Sequence, residues 1–328
     1  MKMKKVCILC GGKSAEHEIS LLSAENIFNA IDKTQFEPVL VKIDKTGQWQ
    51  SELQMNEVFQ FDVVFPILHG PFGEDGTIQG LLKMADIPFV GPDVLGSAVG
   101  MDKDIMKRLL RDAQIPIGKF IVLKNNEKTL TFTEAEAAVG SPFFIKPANM
   151  GSSVGISKVR NETEFTAAVK DAFQYDSKII IEEFIPGREI ECAVLGNEAP
   201  AASMPGEIIP THDFYSYDAK YLDENGASLQ IPANLDEVTK KRIQDLAVKV
   251  FQILCCEGLS RVDFFLKDNG EILVNEINTM PGFTKISMYP KMWEASGISY
   301  TDLITRLIEL AISRFERDKK LKTSVDTF

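Results

Sequence analysis

Apolar residues fall in short continuous runs early in the chain and alternate with polar ones later, and that change of pattern divides it. Over residues 1–101 the runs Val6 to Leu9, Pro38 to Ile43, Val63 to Leu68 and Phe89 to Gly91 are separated by helical stretches such as Ala15 to Ile31 and Ile78 to Met84. This alternation predicts βαβ units and a parallel sheet with helices on its faces. Ligands on such a sheet collect beyond the carboxyl ends of its strands. Gly11-Gly12-Lys13-Ser14-Ala15-Glu16 and His69-Gly70 both fall there.

Residues 102–185 read as a small α+β unit, with a helix over Lys103 to Ala113 and strands over Phe143 to Lys146, Gly155 to Val159 and Lys178 to Glu183. Residues 186–328 mix strands with a long loop at 206–226, a helix over Leu235 to Cys255 and a last helix over Tyr300 to Phe315. The polar tail Glu316 to Phe328 is expected to be loosely ordered. There is no internal repeat and no low-complexity linker, so the domains pass into one another through short loops.

Composition narrows the function classes. A chain of 328 residues, 45% hydrophobic and 25% charged, can bury cores for two or three domains. A net charge of −11 speaks against a general nucleic-acid or anionic-membrane surface. An anionic ligand must therefore be held by local groups. Met1-Lys2-Met3-Lys4-Lys5 leads only into the short apolar run Val6 to Cys10, far below a signal or membrane segment, so a cytoplasmic protein is expected. Five cysteines fit a reducing compartment. Cys7 and Cys10 have CxxC spacing, yet no second Cys/His pair with zinc-finger spacing accompanies them, and buried core cysteines are the expected reading.

The sharpest chemical signal is the pair Arg261-Val262-Asp263-Phe264-Phe265-Leu266 and Ile272-Leu273-Val274-Asn275-Glu276-Ile277-Asn278, joined through Asp268-Asn269-Gly270. Asn-Gly is the favoured two-residue hairpin loop, which pairs Asp268 with Glu271, Asp263 with Glu276 and Arg261 with Asn278. Period two puts all four functional side chains on one face. Carboxylates facing each other across strands repel unless a cation lies between them, and carboxylate and amide oxygens are what Mg²⁺ prefers. A second signal is Phe143-Phe144-Ile145-Lys146-Pro147 followed by Asn149-Met150-Gly151-Ser152-Ser153-Val154-Gly155, a strand that delivers a lysine to a loop of small residues able to approach phosphate. It is no Walker A loop, since Gly-Lys-Ser/Thr is absent and a strand follows. A third, weaker one is Ile179 to Ile185, a buried strand ending in Glu182 and Glu183, with Glu189 shortly after.

In their order, these segments together with Gly11 to Glu18, His69-Gly70, Gly73-Glu74-Asp75-Gly76-Thr77, Met101-Asp102-Lys103 and Tyr217-Asp218-Ala219-Lys220-Tyr221 resemble the ATP-grasp superfamily and, within it, the D-alanine–D-alanine ligases. The resemblance runs from Lys5 to nearly the last helix. It implies an α/β, three-domain ATP-grasp architecture: an N-terminal parallel-sheet domain (1–101), a central ATP-binding domain (102–185) and a C-terminal catalytic domain (186–328), the latter two α+β domains clasping ATP. It implies that Lys103 and Lys146 hold ATP phosphates together with the loop of Ser152 and Ser153. Glu182, Glu183, Phe184 and Ile185 would hold adenine and Glu189 the ribose. Asp263, Glu276 and Asn278 would bind two Mg²⁺ ions, with Mn²⁺ able to substitute. Glu16 would meet the ammonium of the first D-alanine with His69 nearby, and Lys220 and Ser287 the carboxylate of the second. Glu16, Ser152 and Tyr221 would form a triad fastening a loop, and Arg261 with the N–H of Gly282 would stabilise an oxyanion. The family further implies D-alanyl-D-alanine synthesis for cell-wall precursors through an acyl phosphate, and a homodimer. The rival readings are a D-alanine–D-lactate ligase, discriminated by position 221, and a nucleotide-binding regulatory protein of the same fold without turnover.

Overall fold

The computed structural model describes residues 3–50, 60–126, 130–210 and 227–322. Three sheets organise them. In the first, β1 (Lys4–Gly11) pairs in parallel with β2 (Phe36–Ile43) and β4 (Val63–Ile67), and β3 (Trp49–Gln50) runs antiparallel on β2. A strand covered on both faces must be apolar at every position, and β1 is buried from Val6 onward. On one side Val6, Ile8 and Cys10 pack with Ala24 and Ile27 of α1 (His17–Ala30). On the other, Cys7 and Leu9 pack with Ile78 and Leu82 of α2 (Thr77–Met84). Cys7 and Cys10 therefore face opposite ways and cannot share a ligand. Burial pushes both thiols up, Cys10 to about 11.

The strand expected over Phe89 to Gly91 is reduced to a single bridge between Val64 and Phe89. The carbonyls of Phe89 and Gly91 instead accept from the buried guanidinium of Arg314.

The second sheet has the order β5 (Phe120–Lys124), β8 (Lys178–Glu183), β6 (Phe143–Pro147), β7 (Ser157–Val159), antiparallel throughout. α5 (Phe132–Val139) and α6 (Glu162–Ala172) cover one face over Phe143, Ile145, Phe165, Ile179 and Ile181.

The third sheet runs β12 (Ala227–Gln230), β11 (Gly206–Pro210), β9 (Arg188–Gly196), β13 (Gly258–Leu266), β14 (Ile272–Asn278), with β10 (Ala201–Ala202) on β9. One face packs Ile190, Cys192, Val194, Val262 and Phe264 under α4 (Lys103–Asp112) and α7 (Glu237–Ile253). α3 (Val94–Met101) adds Val99 to the same core. At one end of the opposite face Ala193, Leu195 and Leu259 meet α8 (Met288–Ala295) and α9 (Tyr300–Asp318), in a core continuous with that of the first sheet.

Two further expectations change. Residues 206–210 of the expected loop form β11, while 211–226, including Lys220 and Tyr221, lie outside the described residues. The last helix continues through Asp318 because Arg317, expected in the loose tail, is anchored at 2.6 Å to both Glu198 and Glu257.

Candidate active site

The site is built on the end of the third sheet away from α8. The pairings Asp263 with Glu276 and Arg261 with Asn278 hold, but by a different route from the one the turn predicts. The hairpin loop has three residues, Asp268 to Gly270: the Lys267 N–H donates to the Glu271 carbonyl, and Gly270 sits at φ 81°. That turn alone would set Asp263 against Asn275. Asn275 is skipped in the ladder, since Phe264 pairs with Val274 and Asp263 with Glu276. A β-bulge adds one residue to one strand. It lets Ile272, Val274 and Ile277 all enter the core while Glu276 and Asn278 remain beside Asp263.

Repulsion among these acids is offset by cations of the chain. Arg261 donates from Nε and Nη2 to the two oxygens of Asp263, both at 2.7 Å, and its Nε lies 3.1 Å from Glu191 on β9. Burial opposes the guanidinium charge, but Asp263 and Glu191 more than compensate and raise its pKa. Lys103 Nζ stands 3.4 Å from Glu276 and donates to the Met150 carbonyl at 2.8 Å. Arg261, Asp263, Glu276, Glu189 and Glu191 line one small cavity of about 50 Å³. Asp263, Glu276 and Asn278 offer oxygen donors on one face, which fits Mg²⁺ that completes its shell with substrate oxygens. Among the described residues no three Asp, Glu, His or Cys side chains form a metal cluster by themselves.

Lysines enter from both neighbouring elements. Lys146, the fourth residue of β6, forms a buried ion pair with Glu182 of β8, and Lys107 of α4 lies 2.8 Å from the other Glu182 oxygen. Burial would raise the Glu182 pKa, yet Lys107 and Lys146 hold it down to about 2. Glu183 accepts from the Lys119 N–H at 2.7 Å. β8 leaves its ladders at Glu183, so the backbone of Phe184 and Ile185 lies beyond it. The Phe184 ring lies 3.9 Å from Lys158 Nζ.

Glu16 precedes α1, its carboxylate close against Gly70 and Gly151, where an added Cβ would meet Glu16 Oε2 at 3.0 and 3.3 Å respectively. Ser152 donates its hydroxyl to Glu16. Ser152 and Ser153 both adopt left-handed backbone, φ 51° and 59°, a conformation costing about 1 kcal/mol or more per non-glycine residue. His69 donates from Nδ1 to the Met280 carbonyl at 3.0 Å, and its buried Nε2 has no hydrogen-bond partner among the described residues. Burial lowers the His69 pKa against the pull of Glu16. Glu74 accepts from the N–H groups of Gly70 (2.6 Å) and Met280 (3.2 Å), and burial together with the Glu16 charge raises it to about 8. Met280, between Asn278 and Gly282, is thereby clamped to His69 and Glu74. Gly282 lies against Ser287, whose hydroxyl is bonded to Thr284.

The structure thus places Glu189, Arg261, Asp263 and Glu276 around one cavity, with Lys103 ion-paired to Glu276, Lys146 and its partner Glu182 acting from the second sheet, and Asn278 paired with Arg261; Glu16, His69 and Ser152 are joined to this group through Met150 and Met280. Sequence reasoning missed Glu191, Lys107 and the individual role of Glu74. Glu189 and Glu191 alternate with Ile190 and Cys192, and Lys107 follows Lys103 by one helical turn. Those periods were the available signals.

Family models for the D-ala D-ala ligase C-terminus and N-terminus match residues 109–309 and residues 5–60 with 50–92, respectively. The chain is 54% identical to a D-alanine–D-alanine ligase of Oceanobacillus iheyensis, across 98% of each protein. It superimposes on the D-alanine-D-alanine ligase from Coxiella burnetii with a TM-score of 0.87 and 40% identity, covering 98% of this chain and 97% of that one. The VanG D-Ala:D-Ser ligase from Enterococcus faecalis matches with a TM-score of 0.85 and 36% identity, over 94% of this chain and 100% of that one.

Proposed function

The chain belongs to the D-alanine–D-alanine ligase family, and we propose that the charged face of its third sheet is where ATP activates one D-alanine for attack by another. The protein is an ATP-dependent ligase that forms D-alanyl-D-alanine for peptidoglycan precursors. The observation that carries the site assignment is the convergence of Lys103, Lys146, Arg261, Asp263 and Glu276 beside the Glu16–Ser152 pair.

A carboxylate does not acylate an amine at neutral pH. An oxygen of the first D-alanine carboxylate takes the γ-phosphoryl group, releasing ADP and leaving an acyl phosphate. Lys103 and Lys146 balance charge on the phosphates. Two Mg²⁺ ions held by Asp263, Glu276 and Asn278 supply further charge stabilisation when bound. Glu16 orients the first D-alanine through its ammonium, with His69 beside it. The second D-alanine's amine, once deprotonated, adds to the acyl carbon. Arg261 and the Gly282 N–H stabilise the oxyanion, and inorganic phosphate leaves as the amide forms. Lys220 and Ser287 hold the second carboxylate, and Tyr221 joins Glu16 and Ser152 to exclude water from the acyl phosphate. The backbone of Phe184 and Ile185 receives adenine, and Glu189 the ribose. A cytosolic homodimer completes the reading, on the family resemblance.

Phosphate release measured with ATP and D-alanine, against L-alanine and no amino acid, tests the reaction. Turnover with D-alanine alone is expected, and equal rates in all three arms would refute it. Because a structural neighbour is named for D-serine, product chromatography with equimolar D-alanine, D-serine and D-lactate tests acceptor choice, with D-alanyl-D-alanine expected to dominate at neutral pH.

A further inference from the structure

Two buried ammonium groups share one carboxylate beside the proposed nucleotide site. Glu182 faces Lys146 with one oxygen and Lys107 with the other, the latter at 2.8 Å, with side-chain exposures of 7%, 13% and 4% respectively. The Lys107 ammonium stands at charge-assisted hydrogen-bond distance from Glu182 Oε1. A pair of Lys146 and Glu182 alone would satisfy itself. Its ammonium would be neutralised by its own carboxylate and held toward it, with little charge left for a phosphate. The second lysine changes the sum, leaving the triad with one net positive charge that Glu276 and Glu189 of the third sheet attract at Lys146 and that a bound phosphate would share.

Helix α4 is placed to deliver that charge. Lys103 and Lys107 are one turn apart on the same face. Lys103 reaches toward Glu276 in the third sheet and Lys107 toward Glu182 in the second. Met106 and Leu110 fasten the helix to the third sheet's core, and Lys178 binds Asp102, the residue capping its first turn, at 2.6 and 2.7 Å. The Lys107 ammonium is therefore held by a helix anchored on both sides.

We propose that Lys107 is a positioning residue for nucleotide binding: its ammonium offsets Glu182, so that Glu182 orients Lys146 without consuming the charge Lys146 presents to ATP phosphate. This rests on the reading that Lys146 binds phosphate. It separates Lys107 from a purely structural residue, because what matters is the charge balance with Glu182 and not the presence of a side chain.

The test is a charge series at position 107 read by calorimetric binding of ADP and by steady-state kinetics. Lys107→Gln, neutral and able to donate to Glu182, should weaken ADP binding and raise the ATP KM about tenfold, with the D-alanine KM values within twofold of wild type. Lys107→Arg, which restores the charge, should bind ADP within about threefold of wild type. Wild-type ADP affinity in Lys107→Gln, a loss in Lys107→Arg as large as that in Lys107→Gln, or a Lys107→Gln chain that fails to fold would each overturn the proposal. Lys146→Ala serves as the control. If it binds ADP normally, the phosphate-site reading itself fails; if it binds weakly while Lys107→Gln binds normally, only the role of Lys107 does.

Discussion

Two halves of the same face of the third sheet follow the same ladder and do opposite work. Toward α8 and α9, Ala193, Leu195 and Leu259 are buried in a core shared with the first sheet. Farther along the same two strands, at the same period of two, Glu189, Glu191, Arg261 and Asp263 line a polar cavity. Backbone pairing is alike in both, so the difference lies in what covers the face: helices in one half and charged groups of neighbouring elements in the other. The apolar half anchors the strands, and the charged half inherits their rigidity. Side chains on a paired strand are pre-placed for chemistry without reorganisation.

The most damaging way to break that division is to put a charge into its apolar half. Leu259→Asp would leave an unpaired carboxylate in the core shared with the first sheet. The variant is expected to give an insoluble or unfolded chain, with circular dichroism as the check; a folded, active variant would refute the anchoring role of that half.

Next in size is Glu276→Gln, which leaves the ladder intact and removes a carboxylate from the charged half. Turnover should fall about 10³-fold, while thermal melting without Mg²⁺ stays within a few degrees of wild type. Near-normal activity would remove Glu276 from the metal set.

Glu182→Gln sharpens the comparison through pH. The Glu182 pKa is depressed from its ordinary 4.5 to about 2 in the folded protein. Its stabilisation is therefore present above the unfolded value and is lost as pH falls through the folded one. Urea unfolding should show a wild-type margin of roughly 3 kcal/mol at neutral pH, narrowing between about pH 4.5 and pH 2. A margin independent of pH would mean that the carboxylate is not held by Lys107 and Lys146.

Ser152→Ala is the mildest. The Ser152 turn is tied to Glu16, just ahead of α1, by a side-chain hydrogen bond and not by a ladder. Losing it should change stability by about 1 kcal/mol or less and lower kcat/KM by about tenfold, measured with D-alanine varied. A loss confined to stability would make the bond structural only.

How legible the molecule was depended on the range of the interactions involved. Local period and composition sufficed for β1, β6, β8, α4 and the existence of the β13–β14 hairpin, because a strand buried on both faces or a helix with one apolar face must carry its pattern in consecutive residues. The family motifs, read in order, specified the ATP-grasp fold and the ligase. The sequence by itself therefore determined which chemistry this protein performs and which residues are candidates for performing it. Only the tertiary structure decided how those residues are balanced: that Asn275 is bulged, that Glu182 is shared by Lys107 and Lys146, that Glu191 joins Arg261, and that Glu74 and His69 clamp Met280. Each of these joins residues distant in the chain or depends on a compensation between turn and ladder. Neither leaves a mark in any short window of sequence, because the energy of a charge is set by the burial and partners that the completed fold provides.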